Sequence, residues 1–418
     1  MNIITRIQQK QAQNETTSGA FNNVKIQTQT INSSFDQLLA LKNIGFTQIP
    51  ERSHLFDESD SLAQKLSKEY SQFVIIGIGG SSMGARAIAE ITHSKNIHFL
   101  DNVDAIEFEN VWANVKNNLK KTAFVVVSKS GSTIEILWNY SLIENLMTAA
   151  GLDLIGQSYF ITEKVDNPLA VLAKKNNRPH LEIPVDVGGR FSVLTPVGLL
   201  IAGLCGLSIA DMKIGAAEAV KNKNAVVEAC DLFLQSFKRN EIITLFWFYH
   251  SNYRWFGGWL QQLWAESLGK KTNRLGEKAP DFSTPMSAIG ACDQHSILQQ
   301  VAHGTKNKFV SFYSFSSAEK SQHTVLSNVF DEIEFMNNRP YGDLIHNQAL
   351  ATEKALMQNE VSTAFFHIDD SNKSKTLGYM FMYFQLIVGT LGEHENINAF
   401  DQPGVTLGKE LTLELLKN

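Results

Sequence analysis

Apolar residues along the chain fall into short unbroken runs separated by stretches with helical spacing. FVIIGI at 73–78 is uninterrupted, the pattern of a strand buried on both faces of a parallel sheet. MGARAIAEIT behind it spaces its apolar side chains as a helix does. The alternation recurs: TAFVVVSKS at 122–130 leads into the helical IEILWNYSLIENLMTAA, SYFIT at 158–162 reads as a third strand and LEIPV at 181–185 as a fourth. The run from 196 to 238 reads as mostly helical. A second series follows, with EIITLFWF at 241–248, a helix over 252–268, FVSFYSF at 309–315, STAFFHI at 362–368 and a terminal helix after Pro403. This alternation predicts an α/β fold of two αβα sandwich domains, with mainly parallel sheets covered by helices. The expected division is an N-terminal preface over 1–48 packing on the core, a first domain over 49–230 and a second over 231–418 with its C-terminal helix.

Two glycine- and hydroxyl-rich turns interrupt the pattern. GIGGSS follows the first strand, where glycines let the backbone approach a ligand and a helix N-terminus turns free amides toward an anion. A dinucleotide fingerprint needs a different spacing: Ser81 and Ser82 intrude before Gly84, and no acidic residue ends a second strand about 20 residues on. A sugar phosphate or a bare strand-to-helix turn remains open. SKSGST at 128–133 offers the hydroxyls of Ser128, Ser130, Ser132 and Thr133 beside Lys129, a set suited to a monoester phosphate. Neither loop has the spacing of a nucleoside triphosphate site.

Four further residues could do chemistry. Arg190 in VGGRFSVLTPVG follows two glycines and could stabilise an oxyanion, or form an ordinary ion pair. Glu266 in QQLWAESLGKK lies among apolar residues near the end of a helix; partial burial would raise a carboxyl toward base chemistry, and the alternative is a solvated helix-end glutamate. His295 in GACDQHSILQQ is expected just inside a helix capped by Asp293, as a general acid or as a first-turn histidine. Lys409 in FDQPGVTLGKE falls on the terminal helix, where a lone lysine is ordinarily solvated.

Composition narrows the partners. A chain of 418 residues with 44% hydrophobic and 19% charged residues and a net charge of -5 can bury a large core and is not basic enough to suggest nucleic acid. Cys205, Cys230 and Cys292 have neither zinc-site nor disulfide spacing, which suits reduced thiols in the cytoplasm. The first residues carry no signal-peptide core, and no run reaches the ~18 apolar residues of a membrane span, so no membrane partner is expected. LGYMFMYFQLIVGTLG at 377–392 is short and reads as a buried helix.

In order and wording, GIGGSS, SKSGST, VGGRFSVLTPVG, QQLWAESLGK, GACDQHS and FDQPGVTLGK resemble the phosphoglucose isomerase family, from residue 77 to residue 409. VGGRFS and FDQPGVTLGK resemble its two signature segments; the glycine and hydroxyl loops belong to the wider sugar isomerase domain class. The resemblance implies two sugar isomerase domains and interconversion of glucose 6-phosphate and fructose 6-phosphate, in glycolysis and gluconeogenesis, without metal or organic cofactor. It implies that Ser128, Lys129, Ser130 and Thr133 bind phosphate, with Gly80, Ser81, Gln262 and Gln402 lining the sugar pocket. It casts Glu266 as the base, Arg190 as stabiliser of the intermediate, and His295 with Lys409 as the ring-opening pair. It further implies a homodimer in which His295 reaches the neighbouring subunit's active site. The chain departs from the commonest bacterial pattern at Cys292, Ile297 and Thr406, where glutamate is usual for the last.

Three competing readings can be stated. A broader isomerase would also turn over mannose 6-phosphate. A non-catalytic sugar-phosphate-binding regulator would not need Glu266, His295, Lys409 and Arg190 together, and no basic helix-turn-helix segment occurs in the first 50 residues. The isomerase part of an amidotransferase would need an N-terminal cysteine nucleophile, whereas the first cysteine is Cys205.

Overall fold

The strands explain why their sequences are apolar without interruption. The structure, a computed structural model, describes residues 30–326 and 330–417. Its first sheet has the order β2 (Ile97–Leu100), β1 (Gln72–Ile76), β3 (Thr122–Val127), β4 (Ser158–Thr162), β5 (His180–Glu182), with every neighbouring pair parallel. Phe73, Ile75, Val125, Val127 and Ile161 point into one apolar cluster. Val74, Ile76, Phe124, Val126 and Phe160 point into another on the opposite face. A strand covered on both sides favours apolar side chains throughout, and its few polar ones, such as Ser158 and Thr162, are small and hydrogen-bonded to backbone carbonyls.

The second sheet repeats the plan: β7 (Thr284–Ile289), β6 (Ile243–Tyr249), β8 (Lys308–Phe315), β9 (Ser362–Ile368), again all parallel. Phe246, Phe248, Phe309 and Tyr313 face one cluster, while Leu245, Trp247, Val310 and Phe312 face the other. Helices Pro196–Leu204, Ile209–Lys221 and Lys223–Lys238 fill the connection between the sheets, as the helical spacing of 196–238 predicts. Residue 230 falls inside the last of them.

The helix Lys373–His394 is buried from Ser374 to Gly392 at all but Lys375. An all-round apolar helix belongs in the middle of a large core, and this one packs against Ile209–Lys221 and Arg254–Leu268. Residues 30–40 are helical and bury Ile31, Phe35 and Leu38 in the same cluster. The rest of the expected preface, 1–29, lies outside the described residues.

Two strands escape the sequence pattern, and both are edges. β2 is only four residues long. β7 carries Pro285 and is half exposed, which an edge position permits because a proline N is not needed for the outer ladder. The expected strand over 181–185 is shorter, closing at Glu182 before Pro184. Among the described residues, no helix is long and apolar enough to cross a membrane.

Both sheets reverse their winding direction beside their first strand. In the first, the chain leaves β1 for β2 on one side and crosses back to β3 on the other, so the loops after β1 and β3 diverge over the carboxyl ends of the strands. Open α/β sheets bind ligands in the crevice this creates.

Candidate active site

The β1 loop sets the first wall. Gly79–Ser81 forms one 3-10 turn and Met83–Ile91 the helix behind it. A Cβ at Gly80 would lie 2.4 Å from the carbonyl carbon and oxygen of Gly189 and 2.7 Å from the amide nitrogen of Arg190. Only glycine lets the two backbones meet there. Ser81 follows at the rim, half-buried.

The β3 loop forms the neighbouring wall. Ser128 is buried and its hydroxyl pairs with that of Thr133 at 2.9 Å. Thr133 occupies the N-cap position of helix Ile134–Ala149 without capping it, because its hydroxyl is turned toward Ser128. The first-turn amides therefore keep no side-chain acceptor. Ser130 accepts the amide and hydroxyl of Ser132 at 3.3 and 3.2 Å. Gly131 has φ +65°, and a Cβ there would stand 1.9 Å from Asn167 Oδ1. Lys129 bends to one side: its ammonium donates to the Val185 carbonyl at 3.2 Å and lies 3.4 Å from the Glu163 carboxylate.

Arg190 is the second residue of the 3-10 segment Gly189–Leu194, which Thr195 and Pro196 convert into the next helix. Its side chain is 1% exposed. Nε donates to Ser267 Oγ at 2.7 Å, one terminal nitrogen to Gln402 Oε1 and to Glu266 Oε2 (3.4 Å), and the other to the carbonyls of Ala399 and Asp401. Burial lowers the guanidinium's pKa, while Glu266 and Asp401 hold it up.

Helix Arg254–Leu268 presents Glu266. Its inward face, with Phe256, Trp259, Leu260, Leu263 and Trp264, is fully buried, and Trp264 Nε1 donates to the Ser283 carbonyl at 3.1 Å. That anchor leaves Gln262 and Glu266 on the face turned to the loops. Gln262 Nε2 donates to Glu266 Oε1 at 3.1 Å and lies 3.1 Å from where a Gly79 Cβ would be. Glu266 is 31% exposed, so the carboxylate is held at both oxygens yet open to a ligand.

The structure thus brings Arg190, Gln262, Glu266, Gln402 and Gly80 into one continuous cluster. His295 and Lys409 stand apart from it. Asp293 does not cap a helix over His295: its carboxylate reaches back to accept the Ile289 amide at 2.7 Å and the Ser296 hydroxyl at 3.1 Å. His295 instead ends a 3-10 turn, Cys292–His295, and the α-helix begins only at Leu298. Its side chain is exposed and, among the described residues, has no hydrogen-bond or ion-pair partner. Lys409 sits on Thr406–Lys417, a helix with no buried residue.

Sequence reasoning missed Ser267, Asp401 and Lys270. The Lys270 side chain is 7% exposed and donates to the carbonyl and carboxylate of Asp401, so it clamps the 399–402 segment under Arg190. Burial lowers the Lys270 pKa, with the Asp401 bond opposing and the nearby Arg190 charge adding to the fall. A cavity of about 980 Å³ opens beside Gly79, lined by Arg86, Asp101, Glu107 and Trp255, but none of the predicted site residues borders it.

The sequence profile of the phosphoglucose isomerase family matches residues 56–418. The chain belongs to that family. It is 32% identical over 376 residues to a glucose-6-phosphate isomerase of Methanocaldococcus jannaschii, covering 88% of this chain and 89% of that one. It is 30% identical over 392 residues to the glucose-6-phosphate isomerase of Campylobacter jejuni, covering 90% and 93%. Among solved structures, a hypothetical protein from Thermus thermophilus superposes with a TM-score of 0.88 at 25% identity over 96% of this chain and 98% of the other. A glucose-6-phosphate isomerase from Chlamydia trachomatis gives 0.74 at 22% identity over 87% and 73%, a likeness of fold. Four of the segments that carry the family resemblance, GIGGSS, VGGRFSVLTPVG, QQLWAESLGK and FDQPGVTLGK, each supply a residue to the cluster around Arg190 and Glu266.

Proposed function

We propose how this chain carries out its family's reaction, the reversible isomerisation of glucose 6-phosphate and fructose 6-phosphate: Glu266 is the base, and Arg190 stabilises the cis-enediolate. The observation that carries this reading is the pairing of a buried guanidinium with one oxygen of Glu266 while Gln262 holds the other. Isomerisation needs a base that lifts the proton from carbon 2 and returns it to carbon 1. One fixed carboxylate serves both transfers. Negative charge grows on the enediolate oxygens as the proton leaves, and a pre-oriented donor at such a position contributes about 3–4 kcal/mol.

Ser128, Lys129, Ser130 and Thr133 hold the phosphate, with the uncapped amides of helix Ile134–Ala149, while Gly80, Ser81, Gln262 and Gln402 line the sugar. Fixing the distant phosphate positions carbons 1 and 2 before any bond changes. His295 and Lys409 open the ring by moving a proton between the ring oxygen and the anomeric hydroxyl. His295 lies outside the Glu266 cluster, which supports a homodimer whose partner supplies that group. The exposed Leu407, Leu411, Leu415 and Leu416 beside Lys409 support association too. We assign 49–230 to a first sugar isomerase domain and 231–418 to a second, preceded by the 1–48 preface. Three free cysteines fit a cytoplasmic setting.

The test is a coupled assay of fructose 6-phosphate conversion. Glu266→Gln should lower turnover by about 10²–10⁴-fold with phosphate-ligand binding retained; activity near wild type would mean the base is misassigned. Mixing inactive His295→Ala and Glu266→Gln chains should restore partial activity through subunit exchange. No recovery in mixtures shown by native mass spectrometry to contain hybrids would remove the shared site.

A further inference from the structure

The second sheet carries a cluster that the isomerase chemistry does not use. Glu319 ends the short helix Ser316–Glu319 after β8, His346 lies in the first turn of helix Asp343–Gln358, and His367 is the penultimate residue of β9. One ligand atom from each lies within 4.8 Å of the others. His346 Nδ1 is 2.6 Å and His367 Nδ1 is 3.5 Å from the same Glu319 oxygen. The three side chains are 34%, 29% and 24% exposed for His346, His367 and Glu319, so they are shielded but reachable.

We propose that Glu319, His346 and His367 bind one divalent transition-metal ion of the zinc class. Two imidazole nitrogens and a carboxylate oxygen are a donor set that such ions favour over magnesium or calcium. Bonds of about 2.0–2.1 Å in tetrahedral geometry put ligand atoms roughly 3.3 Å apart; His367 Nδ1 is at 3.5 Å from the Glu319 oxygen, and His346 Nδ1, hydrogen-bonded to it at 2.6 Å, draws back slightly to admit the ion. His367 Nε2 lies 3.3 Å from Ser316 Oγ, the outer hydrogen bond that fixes a ligating ring's tautomer. Three protein ligands leave a fourth position to water, and Ser314 Oγ, hydrogen-bonded to His367 Nδ1 at 2.9 Å, gives up that contact when the nitrogen ligates.

The placement gives the ion a structural task. Glu319 and His346 are 27 positions apart and bracket a connection that exposes Leu326, Phe330, Phe335 and Tyr341. A metal joining both ends of that connection to β9 adds a cross-link to a closure that includes, among the described residues, the bridge of Thr324 with Pro340. None of the three ligands belongs to the Arg190–Glu266 cluster, so the site stands independently of the assigned reaction.

The test uses the full chain, stripped with chelator and titrated with Zn²⁺ and Co²⁺ at neutral pH by calorimetry and absorption. The expected result is one ion per chain, a visible Co²⁺ spectrum of a four-coordinate site, and a higher melting temperature on loading. His367→Ala and Glu319→Gln, each checked for native circular dichroism, should weaken binding by at least about 10–100-fold and lose the melting shift. Glu319→Gln keeps the side chain's shape, so it separates ligation from folding. Absence of 1:1 binding, an equal response to Mg²⁺, or Zn²⁺ affinity unchanged in His367→Ala would overturn the site.

Discussion

Arg190 shows how much one buried charge can organise. Its donors reach Ser267, Glu266, Gln402 and two carbonyls of the 399–401 segment, and an ammonium cannot reproduce that planar fork. Arg190→Lys should therefore lower kcat by about 10²–10³-fold and also lower the melting temperature, because buried acceptors lose their partners. Steady-state kinetics with a thermal melt checks both; a variant with wild-type kcat would deny Arg190 its part in the reaction. The sequence marks this residue through its two preceding glycines, yet no spacing discloses that Gly80 packs onto Gly189. Lys270 is harder still to read. Lysines after a helix end are ordinarily solvated, and its burial arises from a segment more than a hundred residues later.

At the scale of elements, the sequence discloses strands that are buried on both faces and hides those that are very short or half exposed. β1, β3, β4, β6, β8 and β9 are legible as apolar runs because two covers demand them. β2 has only four residues and β7 is half exposed and carries a proline, so neither makes a long apolar run, whereas the edge strand β9 is buried along most of its length and keeps one. The turn after β6 carries a pH dependence that follows from packing. His250 lies edge-on to Tyr253 and Phe315, and its Nδ1 accepts the Asn252 amide at 3.2 Å. Burial lowers its pKa, with Asp370 opposing and Lys373 adding to the fall. A folded pKa below the unfolded value of about 6.5 means that the unfolded chain takes up the proton first. Its contribution to stability is then complete above that value and is lost as pH falls below it. Melting curves at pH 7.5 and 5.5 should show a smaller acid-induced drop in His250→Asn, which keeps an acceptor and removes the titration. An equal drop in both proteins would place the acid sensitivity elsewhere, with His98 and His394, also lowered by burial, the next residues to vary.

Across the whole molecule, stability and catalysis are expected to separate at the C-terminus. The helix Thr406–Lys417 buries no residue against the rest of the chain, so its deletion should change the melting temperature little. If Lys409 helps open the sugar ring, the same deletion should remove most activity on the closed substrate. A large fall in melting temperature at low protein concentration would contradict the first expectation, and retained turnover the second. The division into two parallel sheets is legible from sequence because each sheet's pattern is local. The union of Arg190 from one region with residues 399–402 from another is not, since only the folded backbone brings them together.

The acceptors of Arg190 also fix an order of events during synthesis. Ala399, Asp401 and Gln402 leave the ribosome long after Arg190 does, and an unpaired guanidinium is too costly to bury. While the first sheet can form as its strands emerge, Arg190 is expected to remain in water until residues 399–402 have been made. A nascent chain is then expected to assemble the Arg190–Glu266 cluster late, after the first sheet.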